Sequence, residues 1–169
     1  MTVDFVKVIP FRMTPDGLRI LVLRRTPHDN LGDDFWQVVS GTLKRDEWSP
    51  MTALREVEEE TGLSPLSLFE VDTIARIWLR RQDRIIWGSV FASEMSAGEV
   101  RLSEEHVEFR WETIEGALRL LPRRSQREII HVFVEDLVRD NRWDEFRMWD
   151  VSRGWARFKP PNGTIDRNF

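Results

Sequence analysis

Glu56, Glu59 and Glu60 are the residues whose type and spacing first suggest chemistry. On a helix turning 100° per residue, they fall within about 100° of arc on one face. Leu54, Val57 and Thr61 fall on the opposite side. One helix can therefore bury an apolar face and aim three carboxylates outward together. Like charges three and four residues apart destabilise a helix by about 0.2–0.5 kcal/mol per pair. Arg55 can pair with Glu59 four residues on, but one guanidinium does not neutralise three carboxylates. A hard divalent cation does, because Mg²⁺ and Mn²⁺ take oxygen ligands. A solvated acidic helix face has the same spacing, so the spacing alone leaves both open.

The pattern around these glutamates is longer. Gly41 is followed by five residues and Glu47, then by seven residues and Arg55-Glu56-Val57-Glu58-Glu59-Glu60-Thr61-Gly62-Leu63. Ser49-Pro50 marks a helix start, because serine can cap free amides and proline is tolerated in the first turn. The helix is expected to run to about Thr61 and to stop at Gly62. Upstream, residues 3–13 and 18–23 predict a strand hairpin around the turn Thr14-Pro15-Asp16-Gly17. Residues 24–34 predict a loop, and residues 36–39 a short strand running into Ser40-Gly41. Downstream, residues 66–79 and 84–92 predict two strands joined by a polar turn. A polar loop over 93–105 leads to a short strand at 107–111 and a short helix at 112–121. A long helix over 124–141 carries Ile129, Ile130, Phe133, Val134, Leu137 and Val138 on one stripe. Strands and helices mix without strict βαβ alternation, which points to an α+β layered sandwich. Residues 1–140 are expected to form one domain. Residues 141–169 depart in composition, with Trp143, Trp149 and Trp155 among charges, and are expected to form an irregular extension.

The segment GTLKRDEWSPMTALREVEEETGL resembles the NUDIX box and matches it at every specified position. Such a match is far more specific than a short glycine fingerprint. The resemblance covers roughly residues 3–138 and implies an α/β/α sandwich with a mixed sheet. It implies a hydrolase of nucleoside diphosphates linked to another group, with water attacking a phosphorus of the diphosphate bridge. Carried onto this chain, it makes the Gly41 carbonyl, Glu56, Glu59 and Glu60 ligands for Mg²⁺ or Mn²⁺, with Glu59 or Glu60 also orienting the attacking water. Arg55 would orient the glutamates and Glu47 would brace the loop. The chain has Val39-Ser40-Gly41 where many members have proline-glycine-glycine. Residues 36–41, WQVVSG, look more like the branch acting on nucleoside triphosphates and dihydroneopterin triphosphate. Alternatives of other classes are a catalytically silent nucleotide-binding module and an RNA cap hydrolase.

Outside the box, the resemblance makes Glu105, in the loop before residues 106–111, a candidate general base, and His106 a weaker one. Arg24 and Arg25 end the second strand and suit bidentate phosphate contacts. Trp36 either stacks on a base or pterin ring or belongs to the core. Trp78 and Trp87 are expected to be packing residues. The three late tryptophans either clamp the tail over the domain or form a homodimer contact.

Composition narrows the field further. The chain has 169 residues, 25 basic and 29 acidic, for a net charge of −4. No overall field gathers nucleic acid, which weighs against an RNA substrate. No apolar run reaches the ~20 residues that cross a bilayer, and the first residues lack a secretory pattern, so a cytoplasmic protein is expected. There is no cysteine. Disulfides, thiolate metal sites and a cysteine nucleophile are excluded together, and with them the cysteine-dependent chemistry of isopentenyl diphosphate isomerase, which uses a related fold.

Overall fold

The computed structural model describes residues 2–26 and 35–156. Most of the loop expected over 24–34, and the chain after residue 156, lie outside the described residues. Strand β1 (Phe5–Thr14) is apolar almost throughout. Its alternation explains why: Phe5, Ile9 and Phe11 enter one core cluster, while Val6 and Val8 enter another. A strand covered on both faces reads as a near-continuous apolar run. β1 turns into β2 (Gly17–Arg25), with Thr14 opposite Gly17 as the turn chemistry requires.

The next short strand is split. β3 (Trp36–Gln37) pairs with β2, and β4 (Val39–Thr42) pairs with β1. The break falls at Val38, whose N–H donates to the Gln126 side-chain oxygen at 3.0 Å instead of to a neighbouring strand. Helix α1 (Ser49–Thr61) follows. Its N-cap is Trp48, not Ser49, and no side chain caps it; Pro50 fills the first turn as expected. Gly62 closes the helix at φ +66°, with its N–H donating to the Glu58 carbonyl at 2.9 Å. That left-handed backbone suits glycine.

β5 (Pro65–Leu79) and β6 (Arg84–Met95) form the long antiparallel pair, and β6 also runs parallel to β1. The sheet is therefore mixed. β7 (His106–Glu112) pairs with β2. Helix α2 (Ile114–Leu120) is capped by Thr113, whose hydroxyl accepts from the Gly116 N–H at 3.0 Å. Helix α3 (Arg124–Phe133) continues as a π-helical segment (Val134–Arg139), so the uniform helix expected over 124–141 widens in its last turns. The wider pitch appears in Asp140 N–H donating to the Glu135 carbonyl at 3.0 Å.

Over residues 141–156 the chain does not take the irregular course expected of the extension. Helix α4 (Trp143–Phe146) leads to β8 (Arg147–Asp150), which pairs with β5, and to β9 (Gly154–Trp155). Trp143 lies 5.3 Å from Phe11 and 5.0 Å from Phe69, ring to ring, and so packs against the main core. Trp155 stacks near Trp48 at 4.8 Å, just ahead of α1. The physical reason is that β5 would otherwise end the sheet with unpaired backbone, and the tail covers that edge.

The strands run in the order β3-β2-β1-β6-β5-β8-β9, with β4 beside β1 and β7 beside β2. On one face, Ala53, Leu54 and Val57 of α1 pack on Val8, Leu21 and Leu23. On the other, α2, α3 and the π segment pack Ala117, Ile130, Phe133 and Leu137 against Ile9, Phe11 and Val71. This is the α+β three-layer sandwich with a mixed sheet expected from the sequence.

Candidate active site

The site is built on strand β4 and the glutamate-bearing face of α1. Gly41 approaches Glu56 so closely that a Cβ at that position would overlap the Glu56 carboxyl. Any larger residue there would force the Glu56 side chain to move. Arg55 organises the surrounding carboxylates. Its guanidinium donates to both Glu47 oxygens at 2.8 Å, to Glu56 at 2.5 Å, to Glu59 at 3.0 Å and to the Thr42 carbonyl at 3.3 Å. The hydrogen bonds from Arg55 hold the Glu47 carboxyl down at about 2, and they raise the Arg55 value in return. Lys44 N–H donates to Glu47 at 3.0 Å, so Glu47 ties the loop ahead of α1 to the helix.

Glu56, Glu59 and Glu60 differ in environment although one helix carries them. Glu59 is half exposed, whereas Glu60 is only 4% exposed. Burial pushes Glu56 up from the ordinary carboxylate value, opposed by Arg55. Burial pushes Glu60 further, to about 8, with the Glu56 and Glu105 charges adding to it. One Glu60 oxygen is buried without a hydrogen-bond partner. His106 Nε2 lies 3.7 Å from it, beyond hydrogen-bond distance. Gln37 donates to that nitrogen at 3.1 Å, which places the ring proton on Nδ1 beside Ser103 Oγ at 3.4 Å. Burial also drives His106 down to about 4, so the ring is neutral at pH 7.

A cavity of about 550 Å³ opens in front of these groups. Gly41, Glu56 and Glu59 line it together with Arg25, Glu105, Lys7, Phe35, Gln37, Arg123 and Gln126. The structure thus gathers most of the expected site residues at one cavity, with Arg55 binding the cavity-lining glutamates and Glu60 buried below them. Glu105 is held in place by its backbone, since its carbonyl accepts from Thr26 N–H at 2.8 Å, and its carboxyl lies 3.7 Å from Arg25. Arg24 and Trp36 are not among the lining residues. Arg24 bonds Glu108 at 3.0 Å, and a register shift in the β2–β7 pairing separates it from Arg25. Trp36 packs against the main core with Arg110 lying 5.0 Å over its ring. Trp78, expected in the packing, is 57% exposed and donates to Asp83 at 3.2 Å. Lys7, Gln37, Phe35, Arg123 and Gln126 carry no sequence signal: only the tertiary fold brings β1, β3 and the start of α3 to one place.

The donor set suits a hard cation. It offers carboxylate oxygens, the free Glu60 oxygen and a backbone that approaches closely at Gly41. Among the described residues, no three acidic or histidine side chains already converge as a ligand cluster. Arg55 Nη1 bridges Glu56 and Glu59 instead.

The model of the NUDIX domain matches residues 5–133. The chain belongs to the NUDIX family. A NUDIX hydrolase of Listeria monocytogenes superposes with a TM-score of 0.71 at 28% identity, over 83% of this chain and 97% of that one. A dihydroneopterin triphosphate diphosphatase of Haemophilus influenzae is 26% identical over 138 residues, 75% of this chain and 85% of the relative. An octanoyltransferase of Myxococcus xanthus is 33% identical over 114 residues, 66% of this chain. The chain spans 31% of that relative's length. No described helix is long and apolar enough to cross a membrane.

Proposed function

We propose that this NUDIX chain is a divalent-cation-dependent pyrophosphohydrolase, cleaving a phosphoanhydride in a nucleoside triphosphate-like or other nucleoside diphosphate-linked substrate. The observation that carries this is the buried, unpartnered Glu60 oxygen beneath Glu56 and Glu59 in a complete box. An ionised carboxylate is costly to bury without a partner, and a bound cation supplies one. Glu56, Glu59, Glu60 and the Gly41 carbonyl would hold Mg²⁺ or Mn²⁺, which when bound supplies charge neutralisation and a lower pKa for water. Arg55 keeps Glu56 and Glu59 aimed at the cavity. Glu105, which lines the same cavity, would take the proton of the attacking water. Arg25 offers its guanidinium to a phosphate. The name of the Haemophilus influenzae relative supports a triphosphate of a heteroaromatic nucleoside-like group as substrate. The lack of cysteine suits a reducing compartment such as the cytoplasm.

The test is a panel of nucleotides and nucleotide sugars with Mg²⁺ and Mn²⁺, reading released phosphate or pyrophosphate. Wild type should turn over at least one substrate in a metal-dependent way. The double variant Glu59→Gln, Glu60→Gln should fold and release almost nothing. Wild-type rates in that variant would end the proposal.

A further inference from the structure

One buried charge takes no part in the box. Lys7 lies on β1, opposite Ser40 of β4 and beside Val90 of β6. It is 8% exposed and lines the active-site cavity. Among the described residues, its ammonium makes no hydrogen bond and no ion pair. Glu60 acts on it only at longer range. An ammonium is a compact, strongly hydrated point charge, and removing it from water without a counter-ion is unfavourable.

Two further cations add to the imbalance. Arg25 and Arg123 both line the cavity, and both repel Lys7. Arg25 has Glu105 as a partner at 3.7 Å. Arg123 has no carboxylate partner among the described residues; its guanidinium lies 4.6 Å over the Phe35 ring. Arg123 is also the N-cap residue of α3, with no side-chain cap on the helix. Gln126 N–H already donates to the Arg123 carbonyl at 3.1 Å, and Ser125 lines the same cavity. Three positive groups thus line the same cavity as Glu56 and Glu59.

We propose that Lys7 and Arg123 form an anion cradle for a substrate phosphate beyond the scissile anhydride, so that the chain favours polyphosphate substrates over diphosphates carrying a neutral group. A ring carbonyl offers Lys7 only a partial charge, whereas a phosphate offers a full one. The placement of that phosphate relative to the scissile bond rests on the pyrophosphohydrolase function proposed above. The anion site itself does not.

The test uses the full chain carrying Glu59→Gln, which removes turnover and lowers the negative charge at the mouth. Inorganic tripolyphosphate is titrated calorimetrically in EDTA, with each variant's melting temperature recorded. Lys7→Met and Arg123→Ala should each weaken binding about tenfold or more, and Lys7→Arg should keep it within about threefold. In the otherwise wild-type chain with Mg²⁺, Lys7→Met should lower the ratio of kcat/KM for ATP to that for ADP-ribose about tenfold. Unchanged tripolyphosphate binding in both Lys7→Met and Arg123→Ala would overturn the cradle, as would no binding by the Glu59→Gln parent. A lower melting temperature in Lys7→Met with unchanged binding would make Lys7 a counter-ion of Glu60, and would also overturn it. Loss of tripolyphosphate binding in a chain that hydrolyses no nucleotide would keep the cradle and remove the pyrophosphohydrolase.

Discussion

Replacing Glu60 by Gln should have opposite effects on the metal-free and metal-loaded protein. Burial raises the Glu60 carboxyl from 4.5 to about 8. A group with a raised folded value gives its full stability below the unfolded value, and that contribution is lost as pH rises toward the folded value. In EDTA, wild type should therefore lose stability between about pH 4.5 and 8 and then level off. The whole interval corresponds to roughly 5 kcal/mol. Relaxation of the site and entry of water reduce this, so a recovery of about 1–3 kcal/mol in Glu60→Gln at pH 8.5 is expected. For a chain of this length that is roughly 3–9 °C in Tm. The amide keeps the carboxyl's shape and can still accept the Ser40 hydrogen bond. The difference between the proteins should vanish near pH 4.5. Neutral His106 lowers the stability of both as pH falls from 6.5 toward 4, so comparing them isolates Glu60. With Mg²⁺ added, wild type should gain stability and Glu60→Gln should gain much less. Thermal melts of both proteins across pH 4.5–9, with EDTA and with Mg²⁺, decide the matter. A Glu60→Gln protein less stable than wild type in EDTA at pH 8.5 would refute the claim that Glu60 is an unsatisfied buried acid.

Arg55→Lys keeps a cation but loses the fork that holds Glu47, Glu56 and Glu59 together; kcat should fall about 10²-fold with Tm changed by only a few degrees, as steady-state kinetics and melts will show. Gly41→Ala drives a Cβ into the Glu56 carboxyl; calorimetry should find Mn²⁺ binding weakened at least about tenfold. Trp143→Ala removes the ring packed on Phe11, Phe69 and Phe133; urea denaturation should show a loss of about 2–4 kcal/mol, which an unpacked tail would not give.

Local spacing determined much of this protein. The 3.6-residue period placed three glutamates on one face of α1 opposite Leu54 and Val57, and turn and cap chemistry marked the β1–β2 hairpin and the stop at Gly62. Those signals lie within a few residues of one another, so the chain carries them before it folds. Tertiary structure decided what needs distant segments to meet. It buried Glu60 beneath Glu56 while leaving Glu59 half exposed, because only the packing of α1 on β4 distinguishes adjacent helix positions. The cavity is lined by Arg25 and not by Arg24 or Trp36, with a register shift between Arg24 and Arg25, and no composition rule distinguishes neighbouring strand residues. The edge of β5 drew residues 147–150 into the sheet, because an unpaired backbone edge is satisfied by whatever strand the chain can bring to it. The cavity's buried ammonium on β1 and its arginine at the start of α3 stand more than a hundred residues apart in the chain, so their charges act together only once the sheet has closed against that helix.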